Sequence, residues 1–180
     1  MDLQHISVKV FASDAADFDV TMTIPVFHGW IQRSALQGVM PIDVADYSHV
    51  YQGPGVLLVC HEGQFSMELS GVRLGLRYAN KHSASGSVKD RTSEALSRVL
   101  SAAKLLETEA SLNGKLSFGR REFLVQIDDK LMAPNTEKTF NRLKSEVEGA
   151  FASEYDGTSF DLEHVPEAQT GLTIKVTQKQ

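Results

Sequence analysis

Four histidines stand where chemistry could be assembled: His28 two residues before Trp30, His49 after Asp46 and Tyr47, His61 between Cys60 and Glu62, and His164 in a second D-x-x-H-V string. An imidazole changes charge near neutral pH and can relay a proton or ligate a metal. The fullest polar group lies on residues 42–50 and just beyond. A strand period of two there puts Asp43, Tyr47, His49 and Tyr51 on one face. An acid, a phenol and an imidazole so placed could hold a small polar ligand, with His61, Asp46 and Trp30 closing the pocket. A solvated edge strand carries the same pattern, and that reading stands beside the first.

Other arrangements are weaker. Cys60 and His61 are adjacent, and neighbours on a strand point to opposite faces, so the thiol reads as a small core residue. The chain has no H-E-x-x-H, no H-x-H and no second cysteine, so neither a metal site nor a cofactor is expected. Gly53, Pro54 and Gly55 lack the Lys-Ser/Thr ending of a phosphate loop and are turn residues. An anion site is the second candidate. Ser87 can cap a helix, with Lys89 and Arg91 in its first turn and Lys81, His82, Ser85 and Gly86 just before it. Free N–H groups at a helix start attract anions, although an ordinary capped loop looks the same in sequence.

These residues need a frame. Residues 42–80 read as consecutive strands at 42–50, 56–61, 64–69 and 72–78, split by QGPG, EG and SG. Such short gaps permit only antiparallel neighbours. VLLVC, apolar at five successive positions, is expected in the middle of the sheet. Before it, Ile6, Val8 and Val10 form the buried face of a first strand, and Pro25 opens a short helix with Phe27, Trp30, Ile31 and Ser34 on one side.

After it, residues 87–112 form the longest helix, with Asp90 completing a capping box on Ser87 and Asn113-Gly114 stopping it. Residues 115–128 read as a hairpin, and a second long helix follows from a cap at Asn135 to Asp156-Gly157. Two closing strands carry Phe160, Leu162 and His164, then Leu172, Ile174 and Val176. The D-Y-S-H-V and D-L-E-H-V strings each follow strand, helix and strand and precede a glycine, Gly55 or Gly171. Either chance or an old duplication of a βαββ unit explains this echo. The expected fold is α+β: one domain over residues 1–180, a largely antiparallel sheet with two long helices and one short helix packed on it.

A length of 180 residues suits one core, and a net charge of −5 disfavours duplex nucleic acid as a partner. No apolar run reaches the roughly 20 residues of a membrane span, and the start MDLQHISVKV is unlike a signal peptide, so a cytoplasmic protein is expected. PVFHGWIQ, IDVADYSHVYQGPGVLLVCHEG and APNTEKTFNRL together resemble a family of bacterial conserved proteins of unknown function. That resemblance implies a bacterial cytosolic origin and carries no activity with it.

Two functional readings follow. The first is a non-enzymatic binding or interaction protein that self-associates as a homo-oligomer, since an apolar sheet face left bare by the helices needs a partner subunit. The second is a small enzyme or ligand-binding domain with a His/Tyr/Asp pocket around residues 43–61, taking a small molecule or an anion.

Overall fold

The computed structural model of the chain describes residues 3–13, 17–69, 73–81, 86–168 and 171–179. The strands are β1 (Ile6–Ser13), β2 (Pro41–Tyr47), β3 (Gly55–Cys60), β4 (Gly63–Glu68), β5 (Gly75–Asn80), β6 (Ser117–Ile127), β7 (Phe160–His164) and β8 (Leu172–Gln178). The helices are α1 (Thr23–Arg33), α2 (Val88–Thr108) and α3 (Glu137–Glu154). The eight strands form one sheet in the order β2-β3-β4-β5-β1-β6-β8-β7, with every neighbouring pair antiparallel. This is the α+β fold expected, with two long helices and one short one.

The path of the chain repeats. From β1, helix α1 carries it to the far edge, and the meander β2-β3-β4-β5 returns beside β1; from β6, α3 carries it to the other edge, and β7-β8 returns beside β6. Helix α2 joins the two halves, and the first half has two additional strands. Gly55 and Gly171 hold matching places at the head of β3 and β8. A Cβ on either would sit 2.0 Å from a neighbouring backbone oxygen, that of Met67 or of Ile127, so only glycine allows those strands to close.

Ile6, Val8 and Val10 of β1 face α2, whose Ala95, Leu96, Val99, Ala102, Ala103 and Leu106 form the opposing stripe. On β4 and β5, Phe65, Met67, Leu76 and Tyr78 belong to the same core. The middle of the sheet is therefore β1, and VLLVC of β3 lies one strand in from the edge. Its apolar run reflects cover on both faces: Val56, Leu58 and Cys60 are buried in the core, and on the opposite face Leu57 is buried and Val59 half-buried.

Other boundaries moved for local reasons. Residues 117–127 form one strand instead of a hairpin: pairing with β1 jumps from Phe123 opposite Val10 to Gly119 opposite Phe11, so Arg120, Arg121 and Glu122 make a bulge. Glu107 of α2 holds it, accepting from the Phe118 amide at 2.8 Å and from Arg120 at 2.6 Å. Helix α2 ends at Thr108, and a 3-10 turn, Ala110–Leu112, completes the apolar stretch before Asn113. Helix α1 begins at Thr23, two residues before Pro25, and Ser34 is its left-handed C-cap. Strand β5 starts at Gly75, and residues 70–72, which include the expected SG turn, lie outside the described residues.

The cap of α3 is Thr136, whose hydroxyl accepts from the Thr139 amide. Asn135 has a different task. Its Nδ2 donates to the carbonyls of Val165 (2.9 Å) and Ala168 (3.2 Å), and its Oδ1 accepts from the Thr173 amide and from His164 Nε2 at 2.9 Å. It staples the β7–β8 connection, and His164, stacked on Phe140, serves structure.

The face of the sheet away from α2 is polar where β1, β4 and β5 meet. Lys9, 2% exposed, lies 3.4 Å from Glu68, 3% exposed, and donates to the Arg73 carbonyl at 3.0 Å. Arg73 covers them by stacking 3.9 Å above the Phe11 ring while pairing with Glu122. Burial pushes the Lys9 ammonium below its ordinary range, and Glu68 opposes that shift.

Two predictions follow from this frame. Glu68→Ala leaves the Lys9 ammonium without its carboxylate and should cost about 3–5 kcal/mol in urea unfolding. Lys9→Met combined with Glu68→Leu should lose much less. For Glu107, burial alone would raise the carboxyl, but Arg120 and the Phe118 amide outweigh it and hold it below its ordinary 4.5. Its stabilisation is then complete above that value and disappears as pH falls through the lower, folded-state one. The stability gap between wild type and Glu107→Gln, measured by urea midpoints, should therefore close on acidification from pH 6 to pH 3.

Candidate functional site

The structure separates the residues of the expected pocket. Asp43 and Tyr47 share the face of β2 that lies away from α2, but His49 and Tyr51 sit in the turn beyond the strand. Tyr47 pairs with Gly55 at one end of β3, and His61 follows Cys60 at the other, some six residues or about 20 Å away. Asp43 accepts from the Val44 amide at 2.8 Å. Asp46 accepts from the Ser48 amide at 2.9 Å, and the Ser48 hydroxyl and amide hold its carboxyl below the usual range.

Trp30 is fully buried under α1, with its indole N–H donated to Glu109 Oε1 at 2.7 Å. It stacks obliquely on Phe27 and belongs to the core. His61 is exposed beside Glu62, whose carboxylate is taken by the Met40 amide at 2.8 Å and is held low by that bond. Cys60 is buried, and burial reinforced by Glu62 pushes its thiol up to about 12, which leaves no thiolate at neutral pH. Among the described residues no group of three or more His, Cys, Asp or Glu side chains could hold a metal ion.

The start of α2 is already satisfied from within. Ser87 and Asp90 form the expected capping box, with Asp90 Oδ2 2.9 Å from the Ser87 amide and 2.8 Å from its hydroxyl. Glu146 of α3 accepts from the Lys89 amide at 3.3 Å. Two carboxylates therefore occupy the places an external anion would take. Arg91 is buried and turns toward the Leu3 carbonyl, while the stem of Lys89 lies against Gly149. His82 and Ser85 lie outside the described residues.

What the structure does assemble is apolar. Met40, Ile42, Tyr47, Val50, Tyr51 and Leu69 are all exposed, and all lie on β2, at its ends or beside its turn. Tyr51, 91% exposed, forms part of the rim of a hollow of about 360 Å³ whose other walls include Val20, Tyr47, Val50, Gly53, Gly55 and Leu69. Gln52 takes a left-handed conformation with φ 54°, which turns the chain back and leaves Tyr51 projecting. β2 is also an edge strand, yet Asp43 and Asp46 charge that edge and Asp43 already holds the Val44 amide. A strand added there would bring carboxylates close together, so contact through side chains is favoured over sheet extension.

Val50 and Leu69 escaped the reading of the sequence, and Tyr51 was grouped with the acids of β2. The only local signal was an aromatic and a valine bracketing a Q-G-P-G turn, where polar residues are usual. Compared with known proteins, the chain matches no family model, no curated protein and no solved structure.

Because the Ser87, Lys89 and Asp90 N–H groups are taken, the start of α2 should not respond to added anions. Sulfate should raise the melting temperature of wild type and of Lys89→Ala by equal amounts, by salting effects alone. Ser87→Ala should cost about 1 kcal/mol through loss of the cap.

Proposed function

We propose that this chain is a binding and interaction protein that performs no chemistry of its own and self-associates through the patch around Tyr47, Val50 and Tyr51. The observation that carries the reading is Tyr51, 91% exposed on the rim of an apolar hollow large enough to take a phenol ring. A knob and a hole on one patch are self-complementary about a twofold axis: Tyr51 of each copy enters the hollow of the other. Met40 and Ile42 extend the apolar contact along β2. Exposed aromatic side chains of this kind supply much contact area at little entropic cost.

The setting that fits is the cytosol of a bacterium. The resemblance to bacterial conserved proteins supports it, as does a lone buried cysteine. Among the described residues no helix is long and apolar enough to cross a membrane.

Light scattering after size exclusion decides the matter. At tens of micromolar, wild type should give about twice the 19.8 kDa of one chain. Tyr51→Glu places a charge in the partner's hollow and should give the single-chain mass with an unchanged circular-dichroism spectrum. A wild-type monomer at that concentration, or a Tyr51→Glu dimer, overturns the proposal.

A further inference from the structure

A second concave site lies on the helical side, away from the Tyr51 patch. Its origin is a mismatch of widths. Eight strands at about 4.8 Å spacing span about 34 Å between the outermost strand axes, whereas three helices packed at 8–10 Å span about 20 Å at most between the outermost helix axes. Helix α2 covers β5, β1 and β6 and packs against α3, and α1 covers β2 and β3. Strand β4 is left beneath the gap. α1 reaches the C-terminal end of α2, where Trp30 and Arg33 both bind Glu109, and the two helices part above β4.

The gap is a cleft of about 640 Å³, within the range of small-ligand sites. Its floor is Phe65 of β4, and Leu36 and Val39 of the α1–β2 connection face Leu105 of α2 across it. One wall of α2 is polar. Ser97, Ser101 and Lys104 lie along it within about two turns, and none of the three has a hydrogen bond or ion pair among the described residues. Arg98, by contrast, is fully engaged: it pairs with Glu94 at 2.5 Å, donates to the Tyr78 hydroxyl and reaches the Gly38 carbonyl at 3.4 Å. Beyond Lys104 a shallower hollow contains Arg120 and Glu154, yet Arg120 is held by Glu107 and Lys104 makes no pair with Glu154.

The lining selects a ligand class. One unengaged cation matches one negative charge, which disfavours a polyphosphate. Among the described residues that line it, no exposed aromatic ring offers a stacking surface, which disfavours a nucleobase. The floor and the facing wall are apolar, Phe65 with Ala35, Leu36, Val39 and Leu105, interrupted only by the exposed Gln37 and by Thr108. We infer that this cleft binds an aliphatic monocarboxylate, with the carboxylate on Lys104 and the hydroxyls of Ser101 and Ser97 and the chain along Leu36, Val39, Phe65 and Leu105. The cleft is separate from the self-association patch, so either assignment can fail without the other.

Decanoate titrated calorimetrically into the full chain is the test. Wild type should show saturable binding at one site per chain. Lys104→Glu, an exposed position, should weaken it at least tenfold, and Ser101→Trp, which fills the cleft from an exposed helix position, should abolish it. Tyr51→Glu should bind decanoate as wild type does, which separates this cleft from the other hollow. Decyltrimethylammonium and inorganic phosphate should each bind at least tenfold more weakly than decanoate. The inference is overturned by any of four results: no saturable decanoate binding, wild-type affinity in both Lys104→Glu and Ser101→Trp, loss of binding in Tyr51→Glu, or equal affinity for either control ligand.

Discussion

The packing of α2 across β5, β1 and β6 is the interaction on which the rest depends. β1 sits at the middle of the sheet with a partner on each side, and its Ile6, Val8 and Val10 press on the small and medium side chains of α2. Ala95, Ala102 and Ala103 let the helix approach closely, while Leu96, Val99 and Leu106 fill the space between. Each of the larger side chains contributes about 1.5–3 kcal/mol by leaving water. Helix propensity differences are a few tenths by comparison, so burial, and not propensity, places this helix. The halves of the chain meet where β1 pairs with β6, and α2 spans that seam.

With all three helices on one side, the other face must resolve its own polar groups. Lys9, Ser66, Glu68, Arg77 and Ser7 do so as a network, in which Arg77 donates to Ser7 at 3.0 Å and Ser66 donates to Glu68 at 3.3 Å. A lysine alone in such a position would be costly, since a buried charge needs both a counter-charge and hydrogen bonds. The stacked Arg73 and Phe11 close water out, which strengthens the pair and makes it intolerant of losing one member.

Three helices on eight strands also leave surface uncovered, and both proposed sites lie in the uncovered places. One is the edge at β2, where the apolar residues around the turn have no helix above them. The other is the line over β4. In neither place does the protein gather a nucleophile with its base. The groups with raised pKa values, Cys60, Tyr78, Tyr155 and Glu154, are raised chiefly by desolvation, and the lowered carboxylates are caps and clamps. Perturbed titration here records packing.

Local sequence is enough to set the kinds of elements and their antiparallel neighbours. Period-two runs such as Ile6, Val8 and Val10, and the two-residue connection between β3 and β4, leave few alternatives, because local sterics and the pleat act over a few residues. The Ser87–Asp90 box was legible for the same reason, and so was the core fate of Cys60. Other features depend on partners far apart in the chain. VLLVC reads as central because burial shows in sequence while position in the sheet does not. Asn135 reads as a helix cap, yet its amide is drawn to Val165, Ala168 and Thr173, about 30 to 40 residues on. Residues 115–128 read as a hairpin until β1 pairs along their whole length around a bulge. Asp43, Tyr47, His49 and His61 looked like one site because they are close in sequence, but a strand and its return place its ends far apart. Lys104, Ser101 and Leu36 carry no motif, and the cleft they line exists only because α1 and α2 diverge over β4.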